Sequence, residues 1–140
     1  MPNRDTIEAN ETIVRRFYDE LWNRWSLDVA DEIVSEEVRF RGSRGIEVTG
    51  RQEFKRYVDT TRSAFPDWHN RIDELLAVAD RVATRMTWSG THTGELAGIA
   101  PTGARFEYPG AAFFRLADGV IAEAWVVGDT YLLWRALGRV

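Results

Sequence analysis

The spacing of apolar residues shifts from mainly helical to strand-like near Pro66, and that shift limits the possible folds more than any other feature. Before it the period is mostly helical. Ile13, Val14, Phe17, Tyr18, Leu21, Trp22 and Trp25 form one wide apolar stripe and predict a helix over residues 6–25. Asp5 or Thr6 stands where its start needs a cap. A short second helix opens at Ser26, with Leu27, Ala30, Ile33 and Val34 inward, and "VRFRG" follows as a strand. Thr49 and Gln52 have capping-box spacing ahead of a third helix carrying Phe54, Tyr57 and Val58. That helix stops near Ala64, because a proline disfavours helix in the residue before it.

Beyond Pro66 the pattern is that of strands. "WHNRIDELLAV" and "RVATRMTWSGTH" read as strands joined at Ala79-Asp80-Arg81. "RFEYPGAAFFRL" and "VIAEAWVV" are joined at Ala117-Asp118-Gly119, and Asp-Gly between apolar runs is a strong hairpin signal. Pro109 cannot donate to a ladder, which predicts a bulge or bend there. Asp129 stands at the cap of a last short helix, "TYLLWRAL", closed by Gly138. Helices first and antiparallel strands second is an α+β arrangement, with helices packed on one face of a sheet. Along 120–127, strict alternation places Val120, Ala122, Ala124 and Val126 on one face and Ile121, Glu123, Trp125 and Val127 on the other. Both faces are largely apolar, so a second subunit is expected to cover the face that the helices leave, as a homodimer with an isologous interface.

The 140 residues suit one domain, 1–140, with one core. A net charge of −4 and no long basic run argue against a nucleic-acid partner. The chain has no cysteine, which excludes disulfides, thiolate metal sites and cysteine nucleophiles. "MPNRDTIEANE" lacks the apolar run of a signal peptide, and no segment is apolar for long enough to span a bilayer. A cytoplasmic protein with no membrane partner is the expectation. There is no P-loop, dinucleotide fingerprint, HExxH or GxSxG. The two histidines lie too far apart for a local metal motif, so neither metal nor cofactor is expected. Six tryptophans are many for this length; such rings thicken a core, line a cavity or fill an interface.

The connection between the two hairpins carries Gly90-Thr-His92-Thr-Gly94 and then Gly98-Ile-Ala-Pro101-Thr-Gly103. This closely resembles a loop of the SnoaL-like polyketide cyclase and predicted ester cyclase group of the nuclear transport factor 2-like superfamily. Glu123-Ala-Trp125, Asp129 and Leu137-Gly138 resemble that group's ending, and the likeness covers nearly the whole chain. It implies a cystatin-like, cone-shaped half-barrel, with three N-terminal helices on a strongly curved antiparallel sheet and a short C-terminal helix. It also implies that the connection over residues 90–104 is a flap at the mouth of a hydrophobic pocket, turned by glycines and stiffened by Pro101.

The implied activity is that of a polyketide cyclase-like lyase or isomerase. Its logic is that of ketosteroid isomerases: a carboxylate in an apolar pocket removes a proton beside a carbonyl, and the enolate attacks intramolecularly. Here the group's acid/base aspartate aligns with Val126, and a histidine sometimes found two residues earlier aligns with Ala124. Neither can transfer a proton. The related limonene epoxide hydrolase type uses two aspartates and an arginine; Arg85 suits a pocket strand, but Thr87 is no carboxylate.

The remaining candidate catalytic residues are His92, Asp129, His69 and Arg85. Each also has a plainer reading: a histidine bonded to the flap backbone, a helix cap, an edge residue, a solvated charge. Glu123 reads as an arginine's ion-pair partner, and Asp67 and Asp73 as turn and surface residues. Tyr18, Trp22, Phe40, Trp88, Phe106, Tyr108 and Trp125 are the candidate substrate-binding wall, or plain core. The resulting expectation is a protein that binds a small apolar carbonyl- or ester-bearing metabolite, with cofactor-independent cyclase, isomerase or hydratase chemistry. The alternatives are a non-catalytic binding protein of the same fold and a dimeric scaffold with a filled hollow.

Overall fold

The computed structural model describes residues 4–140. The first three residues of the N-terminal stretch discussed above lie outside the described residues. Helix α1 (Arg4–Arg16) runs into a π-helical turn (Phe17–Trp22). A 3₁₀ turn (Leu27–Val29) and α2 (Ala30–Ile33) lead to β1 (Val34–Arg41) and β2 (Glu47–Thr49). Then come α3 (Arg51–Ala64), the hairpin β3 (His69–Val78) and β4 (Arg81–Thr91), the hairpin β5 (Arg105–Ala117) and β6 (Val120–Gly128), and α4 (Thr130–Ala136). The six strands form one sheet in the order β2-β1-β6-β5-β4-β3, open at both edges. All pairings are antiparallel except β1 with β6, which is parallel. The chain thus forms the α+β arrangement expected from the change in period.

The helical layer and one face of the sheet share a single aromatic core. Phe17 sits at its centre, stacked on Phe54 of α3 at 5.6 Å and edge-on to Phe114 of β5 at 5.3 Å. Along β4, Val82, Thr84, Met86 and Trp88 face this core, while Arg81 and Arg85 face solvent. Such alternation is the period of a half-covered strand. The β5–β6 turn places both Asp118 (φ 53°) and Gly119 (φ 80°) in the left-handed region, as the tight hairpin anticipated there requires.

Several local expectations do not hold, each for a physical reason. The predicted 6–25 helix is interrupted at Phe17, where the helix widens and the Asn23 N–H bonds to the Tyr18 carbonyl at 2.8 Å. Asn23 ends it by clamping β3 through its side chain: its Nδ2 donates to the Asn70 carbonyl at 2.9 Å, and its Oδ1 accepts from the Asn70 N–H at 2.8 Å. Asp5 and Thr6 are no cap, because α1 is already helical at Arg4. The capping box does not form either. Thr49 is taken into the sheet opposite Arg39, and Gly50 (φ 96°) occupies the cap position. Asp129 does hold the cap position of α4, but its side chain makes no capping hydrogen bond.

Pro109 causes no bulge. It pairs with Thr87 in an unbroken β4–β5 register. Its carbonyl points toward the β6 side, where it accepts from the Asp129 N–H at 2.9 Å. Its missing N–H therefore faces a stretch where β6 pairing has already ended, at Gly110 opposite Gly128. The register shift lies elsewhere, between Arg115 and Leu116, and leaves Ala122 as an extra residue on β6. That residue resets the alternation. Ile121 is buried together with Ala124 and Val126, while Glu123, Trp125 and Val127 face outward.

At Gly110 the sheet folds tightly against itself. A Cβ there would collide with the Trp88 ring and the Val127 carbonyl, and would lie 2.8 Å from the Gly128 Cα. Two of these obstacles are backbone, so the contact cannot be relieved by rotamers. Gly110→Ala is expected to cost about 1–3 kcal/mol or more in urea denaturation, whereas Gly119→Asn in the open hairpin turn should stay within about 1 kcal/mol.

Candidate functional site

The aromatic core leaves one small cavity, of about 40 Å³. That is room for a few waters. Tyr18 and Trp22 close it from the π-helical turn, Tyr57 from α3, and Trp88, Tyr108 and Val126 from the concave face of the sheet. The loop between β1 and β2 completes it with Gly42, Ser43 and Arg44.

The polar groups of this wall are mostly donors. Tyr108 and Ser43 share a hydroxyl–hydroxyl bond of 2.9 Å. Burial pushes the Tyr108 phenol well above its ordinary range, against a smaller opposing effect of Ser43. Burial likewise raises Tyr18, and raises Tyr57 against the counteracting charge of Arg44. At neutral pH all three phenols therefore stay protonated and can donate. Asn70 is held by Asn23 and accepts the Trp68 indole N–H at 3.1 Å. No carboxylate lines the cavity. Among the described residues no three His, Asp or Glu side chains converge, so they assemble no metal-ligand set.

The four candidate catalytic residues are not brought together, and none is in the wall. Arg85 lies on the outer face of the sheet, 3.6 Å from Glu74 and 3.9 Å from Asp73. His69 is exposed at the start of β3, opposite Ser89. Both follow from strand parity, since the inward positions are Asn70 and Met86. Asp129 is exposed at the start of α4. His92 is fully buried, but in the base of the long connection. Its Nδ1 accepts the Thr102 N–H at 3.2 Å and lies 3.0 Å from the Thr102 hydroxyl.

Of the seven candidate binding residues, Tyr18, Trp22, Phe40, Trp88 and Tyr108 do line the cavity. Phe106 is buried one layer away, against Phe65 at 4.8 Å. Trp125 is half-exposed on the opposite face of the sheet, beneath the Arg41 guanidinium at 4.5 Å. The Ala122 bulge does not move it; its own parity already pointed outward. Ser43, Arg44, Tyr57 and Asn70 were missed as site residues. Two signals for them exist in the sequence: glycines bracketing Ser-Arg at 42–45, and an asparagine at an inward strand position beside Trp68.

The long connection does not border the cavity either. It is docked on the end of α3, where the Thr93 and Gly94 N–H groups both bond to the Ala64 carbonyl at 3.1 Å. A Cβ on Gly94 would lie 2.9 Å from the Ser63 carbonyl carbon, so only glycine permits this approach. Its tip, Leu96 and Ala97, borders a surface groove of about 330 Å³ that also has Arg44 and Tyr57 in its wall. Those two side chains, which also line the cavity, are therefore the partition between it and the groove.

The sequence profile of the SnoaL-like polyketide cyclases matches residues 12–137. The chain belongs to this family. Among solved structures, this SnoaL-like chain is similar to AclR of Streptomyces galilaeus, named as a proposed hydroxylase. The two are 28% identical over 96% of this chain and 87% of that one, with a TM-score of 0.81. It is also similar to a protein of Jannaschia named as a candidate SnoaL-like polyketide cyclase (23%, 99% and 98%, TM-score 0.89). A third likeness is to IdmH of Streptomyces antibioticus, named as a candidate polyketide cyclase (25%, 92% and 98%, TM-score 0.79). No curated protein matches the chain. In this SnoaL-like domain Val126 lines the cavity.

Gly42 admits the Tyr57 hydroxyl to the wall: a Cβ at Gly42 would overlap that hydroxyl and lie 2.7 Å from Cζ of the ring. Gly42→Ala is expected to destabilise by about 1–3 kcal/mol. A double-mutant cycle with Tyr57→Phe should recover part of that loss, because the two sites touch.

Asp67 ties both legs of the long connection, accepting from the Thr91 N–H and hydroxyl at 2.7 Å each and pairing with Arg105 at 3.7 Å. Burial raises its pKa, but the Thr91 hydrogen bonds and Arg105 outweigh that and hold it below the usual carboxylate range. A depressed carboxylate stabilises the fold above its unfolded value and loses that contribution as pH falls through the folded one. Asp67→Asn should therefore remove part of the loss of thermal stability that sets in as pH falls below the ordinary carboxylate range, read as Tm against pH.

Proposed function

We propose that this chain binds a small, largely apolar compound bearing a carbonyl or ester group, and that Tyr108, Tyr57 and Arg44 polarise its oxygen. The observation that carries this reading is the composition of the wall: aromatic rings around phenols and a guanidinium, with no carboxylate. A carbonyl oxygen only accepts hydrogen bonds, so it complements such donors. Negative charge developing on that oxygen, as in an enolate, is stabilised by the same groups in a water-poor site. The cavity itself holds only a fragment, so a larger compound extends past Arg44 and Tyr57 into the groove.

Family membership makes cyclisation, isomerisation or hydration the chemistry to test. The wall supplies polarisation but no base, so water is the proton acceptor in this reading. The second reading, carriage without catalysis, is favoured by the inert Val126 at the acid/base position. Acetophenone in D₂O separates the two. Binding is read from shifts of cavity-residue amides in ¹H–¹⁵N spectra. Catalysed enolisation is read from methyl-proton loss faster than in buffer. If exchange is catalysed, Tyr108→Phe should slow it by about 10²-fold. Val126→Asp, which restores a carboxylate, should raise exchange by about 10²-fold. Binding with exchange at the buffer rate would leave only the carrier reading, and no amide shifts at all would remove both.

The same reading includes a homodimer through the outer face of the sheet. Leu76, Val78, Phe113, Trp125 and Val127 are 41–70% exposed there, and contiguous apolar patches on a soluble domain mark interaction surfaces. Sedimentation equilibrium is expected to give a dimer that Phe113→Glu converts to monomer. A monomeric wild type at micromolar concentration would sink the dimer.

A further inference from the structure

Four buried side-chain polar atoms have no hydrogen-bond partner among the described residues: Trp22 Nε1, Arg51 Nε, Thr84 Oγ1 and His92 Nε2. Only Trp22 belongs to a residue of the cavity wall. Arg51 Nε has an ionic partner in Asp31 at 3.2 Å. Several other polar groups of the wall are committed to protein. Tyr108 is bonded to Ser43, Thr61 to the Tyr57 carbonyl, and Trp68 and Asn70 to each other. Trp22 is only 5% exposed, and its ring is wedged among Phe17, Trp25, Phe54 and Tyr57, at 6.2–6.5 Å between centroids. A buried indole N–H ordinarily finds an acceptor, and each exception needs an explanation.

The backbone adds a second, independent observation. Trp22 ends the π-helical turn Phe17–Trp22. Such turns are rare and concentrate at functional sites. Here the widened turn brings Phe17, Tyr18, Leu21 and Trp22 all into the buried core.

We propose that Trp22 is the specificity-determining donor of this cavity, its indole N–H binding the ligand's carbonyl oxygen and selecting acceptors over hydrocarbons of the same shape. This rests on the reading of the cavity as a carbonyl site and adds Trp22 to the donors that meet the oxygen. Indole is a donor with no acceptor capacity, so only an acceptor satisfies it. A site with a desolvated donor rejects an analogue that leaves the donor unpaired. An alcohol is an intermediate case: its oxygen accepts from the indole, and its own proton needs one of the wall's hydroxyls to turn an acceptor lone pair toward it.

The test uses the whole ¹⁵N-labelled protein, titrated separately with acetophenone and with ethylbenzene. The Trp22 indole resonance is assigned as the one lost in Trp22→Phe. Both probes carry a benzene ring, so both produce ring-current shifts, and the difference between them reports the hydrogen bond. The expected result is a saturable downfield shift of the Trp22 indole proton with acetophenone beyond any shift with ethylbenzene. Trp22→Phe should weaken acetophenone by roughly two- to tenfold more than ethylbenzene, since the change in ring size acts on both probes and the lost N–H on one. If other cavity residues respond to acetophenone but the Trp22 indole moves equally with both probes, the assignment of Trp22 is wrong and the carbonyl site stands. If no cavity residue responds, the carbonyl site falls and takes this inference with it. Should Trp22→Phe fail to fold, point-by-point comparison of the two wild-type titrations still decides: of the six indole signals, none separating the two probes overturns the proposal.

Discussion

Everything in this molecule depends on one contact: the Phe17 ring held between Phe54 of α3 and Phe114 of β5. It joins the helical layer to the concave face of the sheet at the point where α1 widens. Burying large rings here contributes a major part of the apolar stabilisation, since each aromatic removes 150–250 Å² from water, on the order of a few kcal/mol. It also fixes the geometry of the site. Tyr18 and Trp22 follow Phe17 in the same turn, so their positions in the wall are set by where Phe17 is clamped.

The site that results is a donor-rich recess in a greasy interior. Its polar groups come from five separate segments: the widened turn, the β1–β2 loop, α3, β3 and β5. None of these segments is a catalytic motif on its own. Val126 adds only hydrocarbon to the recess. Function in such a fold resides in the few side chains grafted onto it, which is why the wall, rather than the fold, carries the reading given to it.

The fold was legible because its signals are long-range averages. Helical period gives way to strand period at Pro66, the Asp118-Gly119 turn obeys local φ chemistry, and α3 ends at Ala64 as Pro66 requires. What escaped was decided by single contacts between distant segments. Asn23 stops a helix because Asn70 lies 47 positions away to receive it. Ala122 is extruded because β6 must satisfy β5 and β1 at once, and alternation counted along one strand cannot register that. The wall residues divide in the same way. Tyr18, Trp22, Phe40, Trp88 and Tyr108 were recognisable as large rings on apolar faces. Ser43, Arg44 and Asn70 left faint traces, the glycines at 42–45 and an asparagine beside Trp68, while Tyr57 joins the wall because α3 meets the β1–β2 loop. Arg85 and His69 each carried an inward and an outward reading, and one step of strand parity, which inverts a side chain's environment, places both outward.

The partition formed by Arg44 and Tyr57 has a mechanical consequence. Both side chains are only partly exposed, and the Tyr57 hydroxyl is seated in the space that Gly42 leaves open. Because Gly94 pins the connection to α3, widening the partition requires these two side chains to turn rather than the connection to lift. Turning Tyr57 withdraws its hydroxyl from the Gly42 niche, so the width of the recess and the seating of the β1–β2 loop hang on a single ring.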